Sequence, residues 1–332
     1  MASIKQFIER RDNIASIVAY LRRVGKATRI EISSVLSLSW ACVSDLVALL
    51  INREVIVESS EREKNTSSVS KGRTPTYLSL NEKKYFLGID INDSGMAITV
   101  LSINGNLLNF KKWDAEVFTD ESELSKSICE KIREMLGVYE DCCGIGVAME
   151  GMKTECGWMY PIKDRSVAFL PDKIIRNSFD LPVYVRHDPE CMLYALADSL
   201  DEDCMTLRVD NGIDVAAMKD GKILSLPLEL GHIICGGEKL KNILKASKLN
   251  KNYSCFAREL GFAAANLAML LGVKKVFIVG EIIEWFDEIA SVFESSFKSV
   301  NKKTEYDVSG IKDASEGAAR VAMAEYPNVE DM

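Results

Sequence analysis

The sequence predicts an N-terminal winged helix-turn-helix head joined to a larger α/β body of two lobes. Three observations carry that expectation. Within the first 80 residues, three stretches with apolar residues at helical spacing are followed by two short alternating stretches. From Tyr85 onward, apolar runs of strand length alternate with amphipathic helical stretches, the pattern of an α/β fold. The charge also divides: residues 1–84 hold 14 Lys and Arg against 9 Asp and Glu, whereas the remainder holds 27 against 40. A basic head on an acidic body places any polyanion-binding role at the N-terminus.

In the head, Ile14, Ile17, Val18 and Leu21 recur at helical spacing from about Asp12 to Val24, and Gly25 ends the pattern. Thr28-Arg29-Ile30-Glu31 is a capping box, in which the threonine oxygen accepts an orphan backbone N–H and the glutamate reaches back. Ile32, Val35 and Leu36 form the apolar face of a short second helix. Ser37-Leu38-Ser39 supplies a turn, with Ser39 as N-cap of a third helix from Trp40 to about Asn52 that buries Val43, Leu46, Val47 and Leu50. Two short helices joined this way make a helix-turn-helix.

Val55–Glu58 and Thr76–Leu80 then read as two strands flanking a wing, Ser59–Pro75. Its tip, Lys71-Gly72-Arg73-Thr74-Pro75, can carry cations to phosphates or a minor groove. Side chains at the start of a recognition helix meet base edges, which selects Ser39, Trp40, Ala41 and Ser44. Arg29, Lys71 and Arg73 are candidates for phosphate contact. Double-stranded DNA is the partner expected. A winged helix can also serve as a protein-interaction module, and Asp45 on the exposed face of the third helix would repel phosphate.

Composition narrows the class further. With 332 residues, 47% apolar and 27% charged, the chain can bury a substantial core and is neither disordered nor fibrous. Nine scattered cysteines without a Cys-x-x-Cys pair, and an N-terminus lacking an apolar signal segment, predict a cytoplasmic protein with free thiols. The longest apolar run, Phe262–Val273, falls well short of the ~20 residues of a spanning helix, so no membrane partner is expected.

The body opens with a strand (Tyr85–Ile91), a second (Gly95–Val100), a hairpin turn at Asn104-Gly105-Asn106 and a third strand from Leu107. A helix from about Ser122 to Leu136 and a strand Cys143–Met149 follow. Strand, hairpin, strand, helix, strand is the opening of an actin-like ATPase lobe. Val183–Asp188 runs into a helix beginning at Pro189. Strands around Leu207–Asp210 and Ala216–Lys219, a helix Phe256–Leu271, a strand Lys275–Val279 and a closing helix Ala314–Ala324 complete the chain. The expected boundaries are 1–80 for the head, 85–186 with 313–326 for the first lobe, and 187–312 for the second lobe, which would carry the ligand cleft and a dimerisation surface.

Taken in order, several short segments resemble the ROK family of repressors and sugar kinases, nearest its sugar-responsive repressor branch. They are Gly72-Arg73-Thr74-Pro75, Leu87-Gly88-Ile89-Asp90-Ile91, Gly144-Ile145-Gly146-Val147-Ala148, His187-Asp188, Leu228-Glu229-Leu230-Gly231-His232, Val276-Phe277-Ile278-Val279-Gly280 and Ser315-Glu316-Gly317-Ala318-Ala319. The resemblance implies two lobes closing over a cleft and a homodimer or higher homo-oligomer. It also implies a sugar or sugar derivative as ligand, held by Gly151, His187, Asp188, Glu229, His232 and Glu238. Asp188 matches the catalytic base of the kinases. It also stands where an N-cap would, with Pro189 at the first helical position.

The departures from the family pattern bear on function. Where ROK kinases carry Asp-x-Gly-Gly-Thr, this chain has Asp90-Ile91-Asn92-Asp93-Ser94. Their Gly-Thr-Gly-Ile-Gly is Asp210-Asn211-Gly212-Ile213-Asp214, and their Gly-Gly nucleotide turn is Gly280-Glu281. A phosphate cradle needs unobstructed backbone N–H groups. Two like charges ~5 Å apart repel by about 3 kcal/mol at an effective dielectric of ~20, so Asp93, Asp210, Asp214 and Glu281 are expected to exclude ATP unless a metal bridges them.

The family's structural zinc needs a histidine and several cysteines, and only His232 and Cys235 stand in that stretch, so no metal and no cofactor are expected. The sequence reading is a DNA-binding regulator of ROK type, most simply a repressor, without catalytic activity. A sugar kinase with a regulatory head, and a ligand-independent DNA-binding or scaffold protein, are the competing classes.

Overall fold

The computed structural model describes residues 4–59, 75–92, 95–151, 153–162, 165–196, 203–224, 229–311 and 313–326. The head begins with α1 (Ile4–Val24), β1 (Lys26–Ala27), α2 (Arg29–Leu36) and α3 (Trp40–Asn52), and ends with β2 (Ile56–Ser59) and β3 (Tyr77–Leu80). Thr28 and Glu31 form the expected reciprocal cap of α2: Thr28 Oγ1 accepts from the Glu31 N–H at 3.3 Å, and Glu31 accepts from the Thr28 N–H at 2.7 Å. Ser37 turns the chain in a left-handed conformation, and Ser39 Oγ accepts from the Cys42 N–H at 3.2 Å to start α3. The strands form an antiparallel sheet, β1-β3-β2. Most of the expected wing lies outside the described residues.

The body holds β4 (Tyr85–Asn92), β5 (Gly95–Ser102), β6 (Leu107–Asp114), α4 (Glu121–Leu136), β7 (Cys142–Met149), β8 (Lys153–Thr154), β9 (Gly157–Ile162), β10 (Arg165–Phe169), α5 (Pro171–Phe179), β11 (Val183–His187) and α6 (Asp188–Leu196). After these come β12 (Cys204–Val209), β13 (Ile213–Lys219), β14 (Lys222–Ile223), a one-turn helix Leu230–His232, β15 (Ile234–Cys235), β16 (Glu238–Lys239), α7 (Leu240–Asn250) and α8 (Ser254–Leu271). The chain closes with β17 (Lys275–Val279), a short turn Glu281–Glu284, α9 (Phe286–Val300), β18 (Glu305–Val308) and α10 (Ser315–Glu325).

Two five-stranded sheets share one plan. In β6-β5-β4-β7-β11 and in β14-β13-β12-β17-β18, an antiparallel meander is extended by two parallel strands. β4 is buried from Tyr85 to Ile91 because helices cover both faces of its sheet, as parallel pairing requires. At the edge, β6 is largely exposed. Among the described residues, no helix is long and apolar enough to cross a membrane.

Helix α10 locks the architecture together. A Cβ added at Gly146 would stand 1.8 Å from the Ala318 carbonyl oxygen, and one at Gly88 would stand 1.9 Å from that of Ser315. Helix and sheet backbones therefore meet where only glycine fits. At the N-terminal end of α10, the Ala314 N–H donates to Asp90 at 3.0 Å. At its other end, Ala322 and Met323 join Ile17, Leu21, Val47 and Leu78 of the head, together with Phe86, Ile103 and Cys143, in one apolar cluster. Arg22 of α1 donates to the Ile103 carbonyl at 2.9 Å, and burial with the nearby Arg320 lowers its pKa to about 10. Each fully buried Leu or Ile here contributes about 1.5–3 kcal/mol. Head and first sheet share a core.

Candidate functional site

The first side chains of α3 present one surface of the head. Trp40 is 60% exposed, Ala41 and Asp45 are exposed and Ser44 is half-buried. Ser39 spends its oxygen on the cap and keeps a hydroxyl hydrogen to donate. Arg29 lies beside this surface, but its guanidinium pairs with Glu58 of β2 at 2.7 Å. Lys71 and Arg73 lie outside the described residues.

The second cluster stands where α6, β12 and β4 converge. Asp188, the first residue of α6, is buried, and its carboxylate forms an ion pair with Arg208 of β12. The expected capping role is not met: neither Asp188 oxygen makes a hydrogen bond among the described residues, because the carboxylate turns to the guanidinium instead of the first turn of α6. Arg208 also lies 2.5 Å from Asp210. Burial would favour a neutral Arg208, but Asp210, Asp90 and Glu150 outweigh it and raise its pKa. Asp90, fully buried, has its pKa raised by desolvation against the pull of Arg208 and the Ala314 N–H. This is a cation set among four carboxylates, those of Asp188, Asp210, Asp90 and Glu150.

Asp210 carries a further load. Its Oδ1 accepts from the Glu281 N–H at 2.5 Å and lies 2.4 Å from where a Cβ on Gly280 would stand. Lys248 of α7 donates to the Asp210 carbonyl at 2.8 Å and pairs with Glu281 at 3.0 Å. Of the carboxylates expected to repel a triphosphate, Asp210 is paired with Arg208 and Glu281 with Lys248, while Asp214 stands without an ion pair among the described residues. Asp93 lies outside the described residues. A backbone N–H of the turn that would face a nucleotide is already taken by an internal carboxylate.

Around this core, His187 stacks on Trp158 with ring centroids 6.0 Å apart and an interplanar angle of 9°. Burial, reinforced by Arg208, lowers its pKa to about 4, so the imidazole is neutral at pH 7. The backbone of Gly151, in a left-handed conformation at φ 89°, hydrogen-bonds His187. Nearer the surface, His232 Nε2 lies 3.3 Å from Glu229 and 2.7 Å from Lys241 Nζ. Asp214 feels both groups: burial raises its pKa to about 6, Glu229 and Asp210 add to the rise, and Arg208 and His232 oppose it. His187, Asp188, Glu229 and His232 therefore belong to one electrostatic neighbourhood. Glu238 faces elsewhere, accepting from Asn242 at 2.6 Å and from the Lys239 N–H at 2.9 Å.

No protein-family model matches the chain. Among solved structures, it superposes on a ROK-family transcriptional regulator, a homologue of the E. coli Mlc protein, with a TM-score of 0.78 over 96% of this chain and 97% of the other, at 18% identity. The fold is that of the ROK proteins. Kinases share it: the Thermus thermophilus ROK hexokinase gives a TM-score of 0.58 at 16% identity, covering 75% of this chain and 100% of its own. The Streptomyces griseus ROK glucokinase, solved with glucose and AMPPNP, gives 0.56 at 14%, covering 71% and 98%. Two curated relatives are uncharacterized proteins. One, of Clostridium perfringens, is 27% identical over 182 residues, 60% of its length. The other, of Sinorhizobium fredii, is 23% identical over 208 residues, 51% of its length. The chain spans only half to three-fifths of the relatives it matches.

Sequence reasoning misses Arg208, Lys248 and Trp158. A signal exists for the first: Arg208 is the one charged residue of Cys204-Met205-Thr206-Leu207-Arg208-Val209, a strand buried throughout. A lone cation in such a strand demands a carboxylate partner.

Proposed function

We propose that this chain is a DNA-binding transcription regulator on the ROK fold, a repressor acting as a homodimer, and that it does not phosphorylate sugars. The observation that carries the reading is the coverage of the two kinds of neighbour. The regulator takes in 96% of this chain, whereas the kinases, matched over nearly their whole length, take in 71–75%. The part the kinases leave over, about a quarter of the chain, is about the size of the head.

In this reading residues 1–80 are a winged helix-turn-helix. α3 enters the major groove through Ser39, Trp40, Ala41 and Ser44, and Arg29, Lys71 and Arg73 meet phosphates. So few cations give one head modest affinity, which favours two copies on paired half-sites. The neighbourhood of Asp188 is the effector site, with Gly151, His187, Asp188, Glu229 and His232 as candidates for a sugar or sugar derivative, while Glu238 turns to Asn242 and Lys239 and leaves the set. A sugar changes operator affinity only through a difference in its affinity for two lobe arrangements. Helix α10, reaching from Asp90 to the head core, is the element placed to transmit such a difference. The Asp188–Arg208 ion pair supports the absence of kinase chemistry, since a carboxylate engaged by a guanidinium is not free to take a proton from a hydroxyl.

Selection of random duplex DNA by the purified chain tests the proposal. Enrichment of a palindrome or direct repeat is the expected result. No enrichment at low salt would overturn it and move the head to a protein-interaction role.

A further inference from the structure

Resting on the DNA-binding reading, the surface of α3 indicates which bases it can read. On a helix, residues 40, 41, 44, 45 and 48 share one face. Here that face is Trp40, Ala41, Ser44, Asp45 and Ala48, all exposed except the half-buried Ser44. It holds no lysine or arginine. In α2, Ile30 is 71% and Val35 52% exposed, beside the exposed Glu31 and Ser34. Arg29 of α2 is paired with Glu58.

Each base pair offers a different pattern in the major groove. Guanine presents two acceptors, O6 and N7, which call for a donor such as arginine; thymine presents a C5-methyl group, which calls for an apolar contact. Cytosine and adenine present amino groups, which call for an acceptor. The exposed face of α3 supplies apolar surface, one carboxylate and the single donors of the Trp40 indole N–H and the Ser44 hydroxyl, without the forked cationic donor that guanine's two acceptors favour. Asp45 can accept from an amino group and repels the acceptor edge of guanine.

We propose that α3 is a thymine-methyl reader: Trp40, with Ala41 and Ala48, packs on the C5-methyl groups of thymines in each half-site. Asp45 accepts from a cytosine N4 or adenine N6 amino group and excludes guanine at its position. Trp40 is the specificity determinant, because its ring is the largest apolar surface on the face and is already exposed before any partner arrives.

The test uses the full chain and the duplex that random selection enriches. Each thymine is replaced in turn by deoxyuridine, which pairs identically and lacks only the methyl group. Binding is expected to weaken about fourfold for each contacted methyl removed, at two or more positions per half-site. Trp40→Ala is expected to lose discrimination between thymine and deoxyuridine at the positions Trp40 contacts while keeping it where Ala41 and Ala48 pack, and Asp45→Asn to accept guanine where the parent rejects it. Enriched sites that tolerate every deoxyuridine replacement within twofold would overturn the inference while leaving DNA binding intact. Failure to enrich any duplex would overturn it together with the reading it rests on, and would recast the Trp40 surface as a protein contact. Because the deoxyuridine series needs no protein variant, a misfolded Trp40→Ala cannot obscure the result.

Discussion

Arg208 and its carboxylates show how one side chain redirects a site. Removing the guanidinium leaves Asp188 and Asp210 facing each other's field in a buried place. Arg208→Met is expected to cost about 3–5 kcal/mol, the usual penalty for breaking a buried pair, measured by urea unfolding. Arg208→Met with Asp188→Asn should recover part of it. Titration gives a second residue-scale expectation. Asp214 has its pKa raised from 3.8 to about 6, so its contribution is present below pH about 4 and is lost as pH rises through about 6. His187, lowered from 6.5 to about 4, contributes above pH 6.5 and loses that contribution as pH falls through about 4. The two slopes oppose each other. Asp214→Asn should therefore gain stability relative to the parent as pH rises from about 4 to 6, and His187→Gln should gain as pH falls from about 6.5 to 4. Unfolding at a series of pH values reads both. At this scale the sequence displays the carboxylates but not their partners, since pairing depends on which residues the fold brings together.

Among the elements, α10 concentrates the largest consequences. Gly146→Ala would drive a methyl group into the Ala318 backbone, which cannot yield as a flexible side chain could. A loss of about 3 kcal/mol or more is expected. Because Ala322 and Met323 lie in the head core, hydrogen exchange should rise in α1 and β3 as well as in β7. Protection lost in β7 alone would show that head and body are uncoupled. Caps and periodic apolar faces make most elements legible in advance: Thr28, Ser39 and the Leu46–Leu50 face specify α2 and α3 by local chemistry. The exceptions also have local reasons. β1 is two residues long, too short for any period to register. α1 starts at Ile4, ahead of the expected Asp12, because residues 9–12 are all exposed and carry no apolar period, while Glu and Arg still favour helix.

For the whole molecule, a head followed by two α/β lobes is readable from the order of runs, turns and glycines, whereas the core that the head shares with the first sheet is not. The interior of the cleft is not, because it is assembled from residues far apart in the chain: Ala314 bonds Asp90 across 224 positions, and Thr99 meets Ser315 across 216. The ion pairs of Arg208 with Asp188 and Asp210, and of Lys248 with Glu281, likewise join residues far apart in the chain. The most direct measurement is release of ADP from Mg-ATP by the purified chain across a panel of hexoses and amino sugars, at substrate levels that saturate ordinary sugar kinases. With Asp188 paired to Arg208 and the Glu281 N–H taken by Asp210, no sugar-dependent ADP above background is expected. Sugar-dependent ADP formation, abolished by Asp188→Asn, would contradict it and make the chain a kinase.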